Sequence, residues 1–184
     1  MKRILFLIIL IFAFFSLNRA DINDVTFVKT IGISENDGHV EMILNTIVPE
    51  KGLDTSTYQI QSIVLEGHDV GEMLNSFLSE HYQHVSFDQL ELLLLDDEMT
   101  QNFSQLVEPV MNRFVRLNFY VGLVKDADIA ELLYNQDTSV AIVKKLKNMH
   151  YTMKNILVSY FDDQYLYIPT IEGVLLDELQ TREF

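Results

Sequence analysis

The sequence contains no cysteine. That absence removes disulfides, thiolate nucleophiles, thiolate metal sites and S-linked lipid together. Three prolines and seven glycines in 184 residues are too few for a low-complexity chain. Cations are scarce as well: 13 Lys and Arg stand against 27 Asp and Glu, a net charge of −14. Three of those cations, Lys2, Arg3 and Arg19, precede residue 21 and no acid does, which leaves residues 21–184 with 10 cations against 27 acids, a net −17. A domain this acidic has no general attraction for nucleic acid or for an anionic membrane surface. Gly-rich phosphate loops, a nucleophile elbow and HExxH are also missing. What remains is 48% hydrophobic and 22% charged, too apolar to stay disordered and long enough for one domain of roughly 160 residues around a single core.

The N-terminus carries the one long apolar run. Lys2 and Arg3 precede Ile4 to Phe15, and the run continues through Ser16 to Leu17. As a helix, residues 4–17 rise about 21 Å, against a hydrocarbon core of about 30 Å. That length suits the h-region of a signal peptide better than a transmembrane span. Cleavage geometry is poor. Cutting after Ala20 places Asn18 at the −3 position, and cutting after Ser16 places Phe14 there. Residues 1–20 are therefore expected to be a signal peptide or an uncleaved membrane anchor, holding the acidic domain outside the membrane.

The rest reads as α+β. Residues 25–33 are rich in β-branched side chains, and Asp37-Gly38 within 34–38 is the strongest hairpin signal in the chain. Val40, Met42, Leu44, Thr46 and Val48 alternate with Glu41 and Asn45, the pattern of a half-buried strand. Residues 49–54 read as a loop. Tyr58, Ile60, Ser62 and Val64 alternate with Gln59 and Gln61, which suggests a third strand. The period then changes. Val70, Met73, Leu74, Phe77 and Leu78 fall at helical spacing behind Asp69 as N-cap, and this helix should end near His84. Residues 90–95 form a short apolar run bounded by acids, a buried strand. Phe103, Leu106, Val107, Val110, Met111, Phe114 and Val115 repeat a helical stripe that Pro109 should kink or split. Residues 118–124 read as a strand. Asp126 should cap a helix that buries Ile129, Leu132 and Leu133. Thr138 or Ser139 should start another, with Ile142, Val143, Leu146 and Met149 on one face and Lys144, Lys145 and Lys147 solvated on the other. Together these give a mixed sheet of about five strands with packed helices. The domain is expected over residues 21–172, with a tail at 173–184.

Chemical constellations are weak. His81 and His84, three apart near a helix end, could ligate a metal with Glu80 or Asp88, but a helix C-terminus favours such side chains anyway. Asp96-Asp97-Glu98 could pair carboxylates for acid–base work, or simply supply acids to a helix N-terminus. Asn102-Phe103-Ser104 matches a glycosylation sequon on a helix. Ser34 to Gly38 lacks the carboxylate spacing of a calcium loop. No catalytic residue, cofactor or metal is assigned.

Four segments carry a family resemblance. Asp21-Ile22-Asn23-Asp24 and Ile31-Gly32-Ile33-Ser34 resemble, in order and spacing, the opening of the C-subunit family of bacterial spore nutrient germinant receptors. Arg116-Leu117-Asn118-Phe119-Tyr120-Val121 is similar to that family's Arg-x-Asn-x-Tyr-Val strand. Ile168-Pro169 and Ile171 resemble the segment that closes its first domain. The likeness spans about residues 17–172 and names Asp21, Ile22, Asp24, Ile31, Gly32, Arg116, Asn118, Tyr120 and Pro169 as family-motif positions. There are departures. The family's lipid-bearing Cys falls at Ser16, its Trp at Leu17, and a His that often precedes its central strand at Gln89. Family members continue for two further domains, whereas this sequence ends at Phe184. The resemblance implies a non-catalytic, membrane-associated accessory subunit in spore germination, beside polytopic membrane partners on the outer face of the spore inner membrane. The competing expectation is an exported small-ligand-binding or metal-dependent hydrolytic domain, which requires a concave pocket with perturbed titratable groups.

Overall fold

The computed structural model describes residues 25–49, 58–80, 85–162, 167–172 and 179–183. Thr26–Asn36 (β1) and His39–Pro49 (β2) form an antiparallel hairpin, in register from Phe27 opposite Ile47 to Asn36 opposite His39. Asp37 and Gly38 close it with φ of 52° and 76°. Positive φ at both central residues marks the turn whose twist matches paired strands. The turn is the one expected, but Ser34, Glu35 and Asn36 belong to the strand. Tyr58–Gly67 (β3) pairs antiparallel with β2 along its whole length.

Val70–Glu80 (α1) follows, and the Asp69 carboxylate accepts a hydrogen bond from the Glu72 backbone N–H at 2.8 Å. Next come Val85–Ser86 (β4), Leu92–Leu95 (β5), Asp97–Gln101 (α2), Ser104–Arg113 (α3) and Tyr120–Lys125 (β6). The chain continues with Ile129–Tyr134 (α4), Gln136–Met149 (α5), Met153–Asp162 (α6), Tyr167–Glu172 (β7) and Leu179–Glu183 (β8). The sheet order is β3-β2-β1-β5-β6-β7-β8, with β4 pairing with β1. Neighbours β1, β5, β6 and β7 are parallel, and the flanking pairs are antiparallel. The mixed α+β sheet expected from the sequence is therefore present. β4, β7 and β8 join the five strands read from periodicity, giving an 8-stranded sheet.

Both faces of the central strands are covered, as parallel pairing with helical crossovers requires. Leu93, Leu95, Ile31, Ile33, Val121 and Leu123 point to one core with Leu74 and Phe77 of α1, Met99 of α2, Leu106 of α3 and Ile156 of α6. Leu92, Leu94, Ile43, Val124 and Ile171 point to a second core under α4 and α5. The second layer corrects the reading of β2 and sets the faces of β3. In β2, Ile43 and Asn45 are buried as well as Met42 and Leu44, so the strand is not half-wet. In β3, Ile63 and Leu65 pack on the first core, while Ile60 and Val64 are 38% and 43% exposed.

Other boundaries move for local reasons. Helix α3 runs unsplit through Pro109, and the Asn102-Phe103 turn that separates it from α2 lies at the start of the stripe, not within it. The helix ends at Arg113, before the last two residues of the stripe. Phe114 is extended and buried against Phe87 and Phe119, and Val115 is exposed. Asp126 does not cap α4; it takes φ of 56°, and the Asp128 carboxylate accepts from the Ala130 N–H at 2.7 Å. Helix α5 starts at Gln136, with the Asn135 side chain as its cap. Strand β6 begins at Tyr120, so Arg116 and Asn118 lie in the preceding loop. Helix α6 carries no earlier expectation, although Met153, Ile156, Leu157 and Tyr160 have helical spacing.

Candidate functional site

Three places could carry chemistry or contact. The first is the C-terminal end of β1 and β5, where open parallel sheets commonly bind ligands. Asp96 leaves β5 there. Its carboxylate accepts from the Met99 N–H at 2.7 Å and from the Glu35 N–H at 2.8 Å. The Asn102 amide donates to the Glu35 carboxylate at 2.8 Å, and the Thr100 hydroxyl donates to the Asp96 carbonyl. Burial pushes the Asp96 carboxyl above its ordinary value; the two N–H donors oppose that rise, and the charges of Glu98 and Glu35 add to it. Both Asp96 oxygens are thus committed to backbone donors. The acidic triplet acts as a helix cap that ties α2 to β1, and the sequon Asn102 lies in a turn with its amide engaged.

The second place is a polar cleft of about 360 Å³ between α1 and α3, lined by Asp69, Glu72, Asn75, Glu108 and Arg113 among others. Its Asp69 carboxylate is spent on the α1 cap, and Arg113 donates to Asn75. His81 and His84, the metal candidates of the sequence, lie outside the described residues. So do the apolar run 4–17, residues 50–54 of the expected loop, and Asp21, Ile22 and Asp24 of the family motif. Among the described residues no group of three or more His, Asp and Glu could hold a metal. The histidine neighbours that are described, His39 and His68, meet edge to face at 5.5 Å beside the hairpin turn, and a His68 ring nitrogen lies 2.8 Å from the Gly38 carbonyl oxygen.

The third place is a groove of about 130 Å³ on the α4–α5 side of the sheet, lined by Thr30, Asn45, Ile60, Leu133, Ser139 and Val140 among others. Asn45 organises its floor: its amide donates to the Leu133 carbonyl at 2.8 Å, and its side-chain oxygen accepts from the Ser62 hydroxyl at 2.7 Å. One side chain therefore links β2, β3 and α4. Ser139 donates to the Leu132 carbonyl at 3.2 Å. Lys29 and Glu91, which also line the groove, form an ion pair. Ile60 and Val140 of its lining are exposed. Sequence reading missed this surface. Its signal was the run 58–65, which has no charged residue and whose alternation suggested a strand without saying which face is wet.

The family-motif positions that are described are mostly architectural in placement. Ile31 is in the first core, and Gly32 lies between β1 and α4. Tyr120 opens β6, and its N–H donates to the Glu91 carbonyl at 2.9 Å. Arg116 and Asn118 are exposed. Pro169 is in β7, one residue before the pairing with β6 begins at Thr170. Among the described residues no helix is long and apolar enough to cross a membrane.

No curated protein and no solved structure was found to match the chain. A family model does. Residues 18–172, nearly the whole described sheet and its helices, match the N-terminal domain of spore germination proteins, and the chain belongs to that family.

Proposed function

We propose that this chain is a non-catalytic accessory component of the spore germination machinery, acting through protein–protein contacts beside polytopic receptor subunits. The observation that carries the reading is the family match over residues 18–172. Three features of the chain support it. The shifted carboxyl, Asp96, is used to hold α2 and β1 together. Among the described residues, charged groups that line the clefts serve structure: Asp69 caps α1, Arg113 donates to Asn75, and Lys29 pairs with Glu91. The net −17 over residues 21–184 keeps the domain off anionic headgroups and allows steering toward basic loops. The apolar run at residues 4–17 holds the chain at the outer face of the spore inner membrane.

Deletion and complementation test the role. Spores lacking the chain should respond abnormally to nutrients, and the chain should co-purify with membrane subunits more strongly at low than at high ionic strength. Normal germination without it, or stoichiometric zinc bound through His81 and His84 in the purified protein, overturns the reading. Intact mass from the membrane fraction should begin at Met1; a species beginning at Asp21 removes the anchor.

A further inference from the structure

We propose that the outer edge of β3, with the side chains it presents beside the α4–α5 groove, is the docking strip for an extended apolar segment of a partner protein that carries a Lys or Arg opposite Glu66. The inference rests on the accessory-subunit reading and names the partner's chemistry.

The two edges of the sheet differ. β8 is five residues long and includes Arg182 and Glu183. β3 is ten residues long, is paired without interruption to β2, and among the described residues has no strand on its other side. Half the N–H and C=O groups of such a strand point away from its neighbour, so an open edge is a template for another strand. Folded proteins blunt such edges with lysine, proline or a bulge. β3 has none of these, and Glu66 is its one charged residue.

Side-chain chemistry then selects the occupant. Ile60, Ser62, Val64 and Glu66 alternate onto one face, and Ile60 and Val64 are exposed there. Glu66 stands directly opposite Glu41 on β2. Like charges placed opposite each other across strands oppose folding, and the one ion pair among the described residues, Lys29–Glu91, involves neither. A strand added to β3 with alternating apolar residues would cover Ile60 and Val64, and a cation at the hairpin end would neutralise Glu66 and Glu41. Strand addition of this kind draws affinity from main-chain bonds and specificity from alternate side chains. A second copy of the chain is a poor occupant, because each copy brings a net −14 and the same unmatched glutamates.

The test uses the full chain in detergent and two synthetic strand peptides of alternating valine and threonine, one carrying a lysine and the other a glutamate at the position facing Glu66. Hydrogen exchange and fluorescence anisotropy are the readouts. The lysine peptide should slow exchange across residues 58–67 and bind at least about tenfold tighter than the glutamate peptide. Its affinity should fall as salt rises from tens to hundreds of millimolar. Glu66→Lys, at an exposed position, should invert the preference, and Val64→Lys should weaken both peptides. Equal binding of the two peptides, or protection confined to β8, overturns the proposal. So does a dimer of the free chain protected along β3, which assigns the edge to a second copy. Co-purification separates the two readings. If membrane subunits stay with wild type and with both variants alike, the accessory role stands and this surface falls. If wild type retains none while the lysine peptide protects β3, the surface stands and the accessory role falls.

Discussion

Gly32 of β1 lies directly against Ile129 of α4: a Cβ placed on Gly32 would fall 2.3 Å from the Ile129 Cγ2, and 2.6 Å from the Leu133 Cδ1. The glycine of the Ile31-Gly32-Ile33 segment is therefore what lets α4 approach the sheet. The atom it meets on Ile129 is bonded to Cβ, so a rotation about the end of a flexible side chain cannot relieve the clash.

Gly32→Ala should lower stability by about 1–3 kcal/mol, seen as a melting temperature several degrees lower. Gly122→Ala is the internal control. A Cβ there would meet the terminal Cδ1 of Ile171 at 2.6 Å and Leu94 at 3.3 Å, and a side-chain end can swing aside. A thermal melt in which Gly122→Ala is the worse variant refutes this account of the α4 contact.

Gly38 has φ of 76° and would place a Cβ in open space. Any penalty for Gly38→Val is thus backbone strain alone, about 1–2 kcal/mol for a β-branched residue in the left-handed region. Gly38→Asn should be much milder, since asparagine tolerates that conformation. Chemical denaturation of the pair checks it: equal midpoints for the valine and asparagine variants would show that conformation is not the cause.

Asp96 links pH to stability. Burial raises its carboxyl above the ordinary 3.8, so the folded state holds this proton more tightly than the unfolded chain does. The ionised form then opposes folding, fully above the folded pKa, and that opposition disappears as pH falls through it toward about 4. Asp96→Asn should flatten this part of the pH dependence. It should still be less stable at neutral pH, by about 1–3 kcal/mol, because one amide oxygen cannot serve both the Met99 and Glu35 N–H donors. Unfolding curves at several pH values decide it, and a variant more stable than wild type at neutral pH contradicts the prediction.

Thr30 is 6% exposed, and its hydroxyl has no hydrogen-bond partner among the described residues. Thr30→Val keeps the β-branched shape and removes the unpaired hydroxyl. It should raise stability by about 1 kcal/mol. A lowered melting temperature would reveal a partner for that hydroxyl.

Much of the fold was legible in the residues themselves. Asp37-Gly38 needs no tertiary help to specify a hairpin, because two residues with positive φ are what that turn demands. The leucine run at β5 and the helical stripe of α1 were equally readable, one as a buried strand and the other by its period. The misplaced helix starts show where local signals compete. Asp126 and Asp128 are both acceptable caps in sequence, and the backbone direction leaving β6 puts Asp128 in place. The Asp96 network was half visible: acids before a helix suggest a cap, but the second donor comes from Glu35, 61 residues away.

By itself, the sequence determined the acidic surface, the absence of thiol chemistry, the α+β class and the family motifs, since these depend on composition, short-range period and residue order. Which face of each outer strand is wet was decided only by tertiary structure. The period of two in β2 and β3 states that alternate residues differ in direction, not which direction meets a helix. Helices α4 and α5 cover the β2 face that carries Ile43 and Asn45, and they leave Ile60 and Val64 of β3 exposed. That choice leaves β3, at the end of the sheet order among the described residues, with an apolar face exposed beside a groove. It arises because α4 packs down onto Gly32, a contact between residues 97 positions apart that no local pattern encodes.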